Sequence, residues 1–266
     1  MIRYSYMIVD PISAFSNIDE LRRLFDFVRE CGYEGVELNW STELGQSLDS
    51  VLNFAADANL QIPSFLTGKA YQDGLCLSAP DASVRSKAVT YLINLIDVAH
   101  DCNSILVIGL LQGLRSDEPN PEFAQTRIIE CLKQVAAVAE RKEVGLVIEP
   151  INHLQVGFNN SVKEVRALTN EVGSSALRPM VDTIHMNIED SSLTQPIYDC
   201  GKDLRHVHLC ESNGALFGTG NIDFAPVLNA LDDINYDGFA SVKVYRKAAH
   251  REAAQSGIEH LRAVRK

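Results

Sequence analysis

Basic charge is scarce in this chain. Lysine and arginine number 24 against 35 aspartates and glutamates, a formal net charge of −11. Tracking the phosphates of a nucleic acid needs a basic face, so this balance argues against a nucleic-acid partner. Long apolar runs are missing too. None approaches the ~18 residues of a membrane span. The opening "MIRYSYMIVD" turns acidic before Pro11 instead of building the apolar core of a signal peptide. These absences predict a cytoplasmic protein with no membrane partner. The cysteines at 31, 76, 102, 131, 200 and 210 form no CxxC pair and keep no regular spacing. That weighs against a zinc ribbon or a disulfide scaffold, and leaves most of them as small buried hydrophobes.

Hydrophobic residues make up 46% and charged residues 22%, the proportions of an ordinary globular protein. The pattern then alternates strand and helix eight times. Strand-like segments fall at 3–9, 35–39, 60–67, 104–110, 144–150, 178–185, 204–209 and 239–244. Helical spacing fills 18–31 behind a cap at Asn17, 47–59, 81–102 behind a cap at Asp81, about 121–141, 161–172, 188–201, 223–234 and a last stretch to the C-terminus. Eight βα units of roughly 33 residues predict a single α/β domain over 1–266, a closed (β/α)8 TIM barrel. The runner-up, a doubly wound open sheet, ordinarily carries a Gly-rich turn after its first strand, and "MIVDPISAF" has none.

A (β/α)8 barrel keeps its chemistry at the C-terminal ends of its strands. Here the last four strands close with, or are interrupted by, Glu149, Asp182, His208 and Lys243. A lone strand-end carboxylate is more often a helix cap or a surface charge. Four in succession around one rim point to a site. Two carboxylates and an imidazole make a donor set suited to Mn²⁺, Mg²⁺, Co²⁺ or Zn²⁺. His185, three residues past Asp182, can face the same pocket. His206 shares a strand face with His208 and falls deeper, toward the barrel floor. Asp10 and Glu37 read as structural, and Trp40 and Phe65 as core.

The motifs "IEPINH" (148–153), "VDTIHMNIED" (181–190) and "HVHLCESNG" (206–214), followed in order by "GTGNIDF" and "GFASV", resemble one known group. It is the sugar isomerase/epimerase family on the xylose-isomerase-like TIM barrel, in the branch of ketose 3-epimerases and sugar-phosphate epimerases. The resemblance implies a divalent-metal-dependent isomerase or epimerase of a keto-sugar or sugar phosphate, with Mn²⁺ the foremost ion. Proton transfer would occur next to a metal-polarised carbonyl. It implies metal ligation by Glu149, Asp182 and His208, with Glu149 also the catalytic acid/base. His185 and Glu211 would lie near substrate oxygens, and Asn152 and Gln155 complete the substrate-binding set. A carbohydrate partner and a homo-oligomer follow from the same likeness.

Three positions depart from the family pattern. Lys243 stands where a fourth ligand, a glutamate, is expected. Gln155 stands where ketose epimerases carry a second glutamate, and Gly214 where a substrate-contacting arginine belongs. A lysine there has two limiting roles. Beside a divalent ion its pKa falls and it becomes a catalytic acid/base; without one, its ammonium neutralises Glu149 and Asp182. The alternatives to an isomerase or epimerase are a lyase acting on an oxidised sugar and an inactive sugar-binding barrel. The glycines of the loop 211–223 fit either a phosphate cradle or the family's ordinary loop.

Overall fold

Eight parallel strands close on one another in chain order in the computed structural model, which describes residues 2–246 and 248–265. Met1, Lys247 and Lys266, part of the expected 1–266 barrel, lie outside the described residues. The strands are β1 (Arg3–Ile8), β2 (Gly35–Asn39), β3 (Ser64–Leu66), β4 (Ile105–Ile108), β5 (Leu146–Ile148), β6 (Leu177–Asp182), β7 (His206–Leu209) and β8 (Phe239–Val242). Helices between them cover the outside, the longest being Pro121–Arg141 and Ala82–Asp101. Asn17 accepts from Glu20 N at 3.0 Å and Asp81 from Ser83 N at 2.7 Å, so both expected caps satisfy amides that the first helical turn leaves open. Among the described residues no helix is long and apolar enough to cross a membrane, and no disulfide forms.

Strand pairing decides what points inward. Met7 pairs with Glu37, Met180 with His206, Asp182 with His208, and both Ser5 and His208 with Ser241. Partners in a parallel ladder face the same side, and every second residue of each strand faces in. The barrel interior is therefore two-toned. Met7, Leu66, Val107, Val147 and Met180 pack as one apolar cluster. Beside them lie Glu37, Ser64, His206, His208, Ser5 and Ser241, all buried and all polar. A core with this much polar content must satisfy it internally, since an unpaired buried polar group costs on the order of 1–3 kcal/mol.

Several strands are shorter than the apolar runs suggest. Pro63 supplies no N–H, and β3 begins only after it. The run 178–185 divides at Asp182, whose Oδ1 accepts from Ile184 N at 3.1 Å and so starts the helix Thr183–Glu189. His185 consequently sits on a helix. The helix expected at 188–201 contracts to Gln195–Cys200. Thr42–Gln46 and Gly68–Gln72 form short helices that span too few residues to display a period.

Candidate active site

Lys243 follows β8, and its backbone N still donates to Leu209 O at 2.8 Å, which fixes the direction of its side chain. The Nζ lies 2.9 Å from Glu149 Oε1 and 2.7 Å from Asp182 Oδ2. His208 completes the group, with Nδ1 at 3.1 Å from Glu149 Oε1 and 3.4 Å from Asp182 Oδ2. Its other nitrogen, Nε2, is 3.1 Å from Glu37 Oε1. That same oxygen accepts from Ser64 Oγ and faces His206 Nε2 at 3.1 Å. One polar column therefore runs from the barrel floor to the ends of β5, β6 and β8.

The charges in this column explain its stability. Burial pushes the Glu149 carboxyl up, but the Lys243 ammonium and His208 outweigh it and set it at about 2. Asp182 falls well below the usual carboxylate range for the same reasons, Lys243 first among the groups that offset its burial. Burial works against the Lys243 charge too, and Asp182 and Glu149 hold it well above an ordinary lysine. Both His208 nitrogens face carboxylate oxygens, and Glu37 overcomes desolvation to keep the ring protonated. Three carboxylates (Glu37, Glu149, Asp182) against two cations (His208, Lys243) leave a net charge of −1. Removing one member would strand a buried charge, at a cost of roughly 3–5 kcal/mol.

His185 has a different electrostatic setting. Asn152 Oδ1 accepts from Leu154 N at 3.1 Å, so its amide nitrogen is the atom facing His185 Nδ1, at 2.8 Å. The ring must accept there, and its proton sits on Nε2. Burial keeps the ring neutral against the pull of Asp182. Nε2 stands 3.8 Å from Asp182 Oδ2 and 3.9 Å from Glu149 Oε1.

These groups open onto a cavity of about 180 Å³ at the C-terminal end of the barrel. Glu149, His185, Lys243 and Gln155 line it, together with Asn39, Tyr245 and an apolar wall of Val9, Leu66, Leu110 and Ile151. Gly109 lies against Glu149: a Cβ there would come within 2.6 Å of Oε2. With Oε1 engaged by Lys243 and His208, Oε2 is the oxygen left beside the cavity lining.

Two of the expected substrate-binding residues, Asn152 and Glu211, lie away from the cavity lining. Asn152 lies behind His185, orienting the ring instead of lining the cavity. Glu211 is buried and spent on its own loop, accepting from Gly218 N at 2.9 Å and Ser212 N at 3.0 Å. The Gly-rich loop is thus closed by its own carboxylate, which would repel a phosphate. Glu37, read from sequence as structural, anchors both histidines, and its Oε2 is buried without a partner. Tyr245 gives no sequence signal because the loop holding it has no period, and Asn39, the last residue of β2, reads from sequence as an ordinary strand end.

Among the described residues, two groups of three buried ligand-type side chains lie close enough for a metal: Glu149, Asp182 and His208, and Glu37, His206 and His208. In the first, an ion would need Glu149 Oε1 and Asp182 Oδ2, the two oxygens that Lys243 Nζ already holds. It would also need the His208 Nδ1 lone pair, which the proton occupies. The set fits a divalent ion only with Lys243 displaced; as arranged it does not, and no chemical step is assigned to a metal.

Residues 25–264 match the family described as xylose isomerase-like TIM barrel, and the chain belongs to it. The L-ribulose 3-epimerase of Mesorhizobium japonicum is 27% identical over 238 residues, 86% of this chain and 79% of the relative. The fold is shared with a solved D-allulose 3-epimerase from Methylomonas sp. (TM-score 0.84, 20% identity, 99% of this chain and 98% of that one). It is shared also with a 3-keto-D-glucoside 4-epimerase from E. coli (TM-score 0.81, 20% identity, again 99% and 98%).

Proposed function

We propose that the protein is an epimerase or isomerase of a keto-sugar, acting by proton transfer at the carbon beside the carbonyl. The observation that carries this reading is the juxtaposition of one free carboxylate oxygen, Glu149 Oε2, with two N–H donors, Lys243 and His185, around a single small cavity. Glu149 takes the proton from carbon. The C–H electron pair becomes the C=C bond of an ene-diolate, and the carbonyl π pair moves onto oxygen. Lys243 and the Nε2–H of His185 donate to that oxygen as its charge develops. Delivery of that proton by Glu149 to the former carbonyl carbon, with the neighbouring hydroxyl proton passing to the other enediol oxygen, gives the isomer. Reprotonation of the original carbon from the opposite face gives the epimer, and neither route needs a redox partner. A carboxylate held at about 2 is a weak base, so the reaction depends on how strongly the donors stabilise the ene-diolate.

The substrate class follows from the lining. Among the described lining residues Lys243 is the one charged base, and two carboxylates already engage it. Among the described lining residues no cation free of carboxylate partners is left to offset a phosphate's charge, which favours an unphosphorylated sugar. Val9, Leu66, Leu110 and Ile151 provide a surface for the C–H face of a sugar ring or chain. The names of the relatives, sugar epimerases acting on ketoses, support the same class.

The test is exchange in deuterium oxide. Free ketopentoses, ketohexoses and 3-keto-glycosides are incubated with the protein and followed by proton NMR. Deuterium should enter beside the carbonyl of at least one of them as a new stereoisomer or isomer accumulates. Glu149→Gln should slow this by about 10²–10⁴-fold, the usual contribution of a positioned acid/base. Binding without exchange on every sugar would reject the reaction.

A further inference from the structure

The polar column contains one cation where its geometry would otherwise call for another kind. Lys243 Nζ sits at 2.9 and 2.7 Å from the oxygens of Glu149 and Asp182 that converge with His208 Nδ1. An ammonium carries three N–H donors, and these two contacts use two of them. The third is left for the cavity that the lysine side chain lines. Glu149 and Asp182 supply two negatives here, and Lys243 and the protonated His208 offset them.

We infer that the Lys243 ammonium takes the place of a divalent metal ion in this barrel, and that its remaining N–H is the electrophile for the substrate's carbonyl oxygen. This rests on the reading of the protein as a keto-sugar epimerase or isomerase. With the ammonium in that place the enzyme is independent of metal. It also makes a single substitution the difference between the two kinds of site. A fixed ammonium donor in a pocket with an apolar wall stabilises a developing alkoxide as a Lewis acid does, with less charge and with direction set by the two carboxylates that hold it.

The experiment is calorimetric titration of Mn²⁺ into chelator-treated protein, wild type beside Lys243→Glu and Lys243→Met, with circular dichroism to check folding. Wild type should bind no equivalent of Mn²⁺ at submillimolar concentration. Lys243→Glu should take up one, at least about 100-fold more tightly than wild type, on the scale at which altered ligand surroundings change metal affinity. If Lys243→Glu fails to fold, Lys243→Met decides: it removes the ammonium, keeps three donors, and should gain Mn²⁺ affinity over wild type. Stoichiometric binding by wild type at micromolar Mn²⁺ overturns the inference, as does a folded Lys243→Glu or Lys243→Met no tighter than wild type. On any sugar that is turned over, EDTA should leave the wild-type rate within twofold; a rate lost to EDTA and restored by Mn²⁺ also overturns it. Absence of turnover on every sugar would reject the reaction proposed above, and the titration would still decide which cation the site holds.

Discussion

The Asn152 side chain donates to His185 Nδ1 at 2.8 Å, and a backbone amide, Leu154 N, dictates which end of Asn152 points at the ring. The proton of neutral His185 is thereby placed on Nε2, toward the cavity. Asn152→Asp reverses the polarity of the contact. A carboxylate accepts, so Nδ1 must carry the proton, and Nε2 loses its donor role unless the ring charges. Turnover should drop about 10–100-fold, the usual cost of changing a residue that orients a site histidine. Nitrogen-15 NMR of the imidazoles should show His185 moving from the Nε2–H to the Nδ1–H form. An unchanged tautomer would show that Asn152 does not set it.

Glu149 is the one carboxylate among the described cavity-lining residues, and Gln155 lines the same space. A single base can remove and return a proton on one face. Inverting a stereocentre at speed needs a second group on the other face. Gln155→Glu adds a second carboxylate to the cavity at almost no change in volume. The expected result is an increase of at least about tenfold in epimerisation relative to aldose–ketose isomerisation, within the range that positioned acid/base groups contribute. A ratio of the two products unmoved by the substitution would count against the single-base arrangement.

The ends of β5 to β8 were readable because each places a charged or imidazole residue against an apolar run whose period is two. Glu37 lies within β2 with the same inward spacing, but nothing in its sequence neighbourhood points to a partner. His206 and His208 lie about 170 residues away and reach it only through barrel closure. Asn152 and Glu211 stand in loops, where no periodicity sets side-chain direction, so their nearness to "EP" and "HLC" in sequence does not show which way they face. The apolar runs extend past the strand ends for a related reason. Continuing hydrophobicity does not reveal that Asp182 caps a helix from the next residue onward.

Gly214 and Tyr245 form a second coupled pair. Gly214 has φ +69°, and a Cβ there would lie 2.5 Å from the Tyr245 ring. Its carbonyl accepts from Tyr245 N at 3.2 Å and Arg246 N at 2.9 Å. The tyrosine thus fills space that a side chain at 214 would need, including the arginine expected from the family pattern. Gly214→Ala should destabilise the fold by about 2–3 kcal/mol, combining left-handed backbone strain with the clash. In a Tyr245→Ala background the loss should shrink to about 1 kcal/mol, because only the backbone cost remains. Equal losses in the two backgrounds, measured by urea unfolding, would rule out the clash.

Asp190 ends the helix that carries His185, and burial raises its carboxyl to about 6, with Glu189 and Glu164 adding repulsion and a long contact from Val162 N opposing it. The folded state therefore holds a proton more tightly than the unfolded chain, whose value is the ordinary 3.8. Between these values the native protein binds more protons, so stability falls as pH rises from about 4 to about 6 and stays lower above that. Asp190→Asn removes the titration while keeping an oxygen for Val162 N. It should stabilise the protein at pH 7.5 by roughly 1 kcal/mol, the linkage value reduced for a half-exposed group. At pH 4 the gain should vanish, because the native aspartic acid is already neutral there. Urea midpoints of both proteins at the two pH values decide the matter: an equal gain at pH 4 and pH 7.5 would place the effect in packing, not in the charge of Asp190.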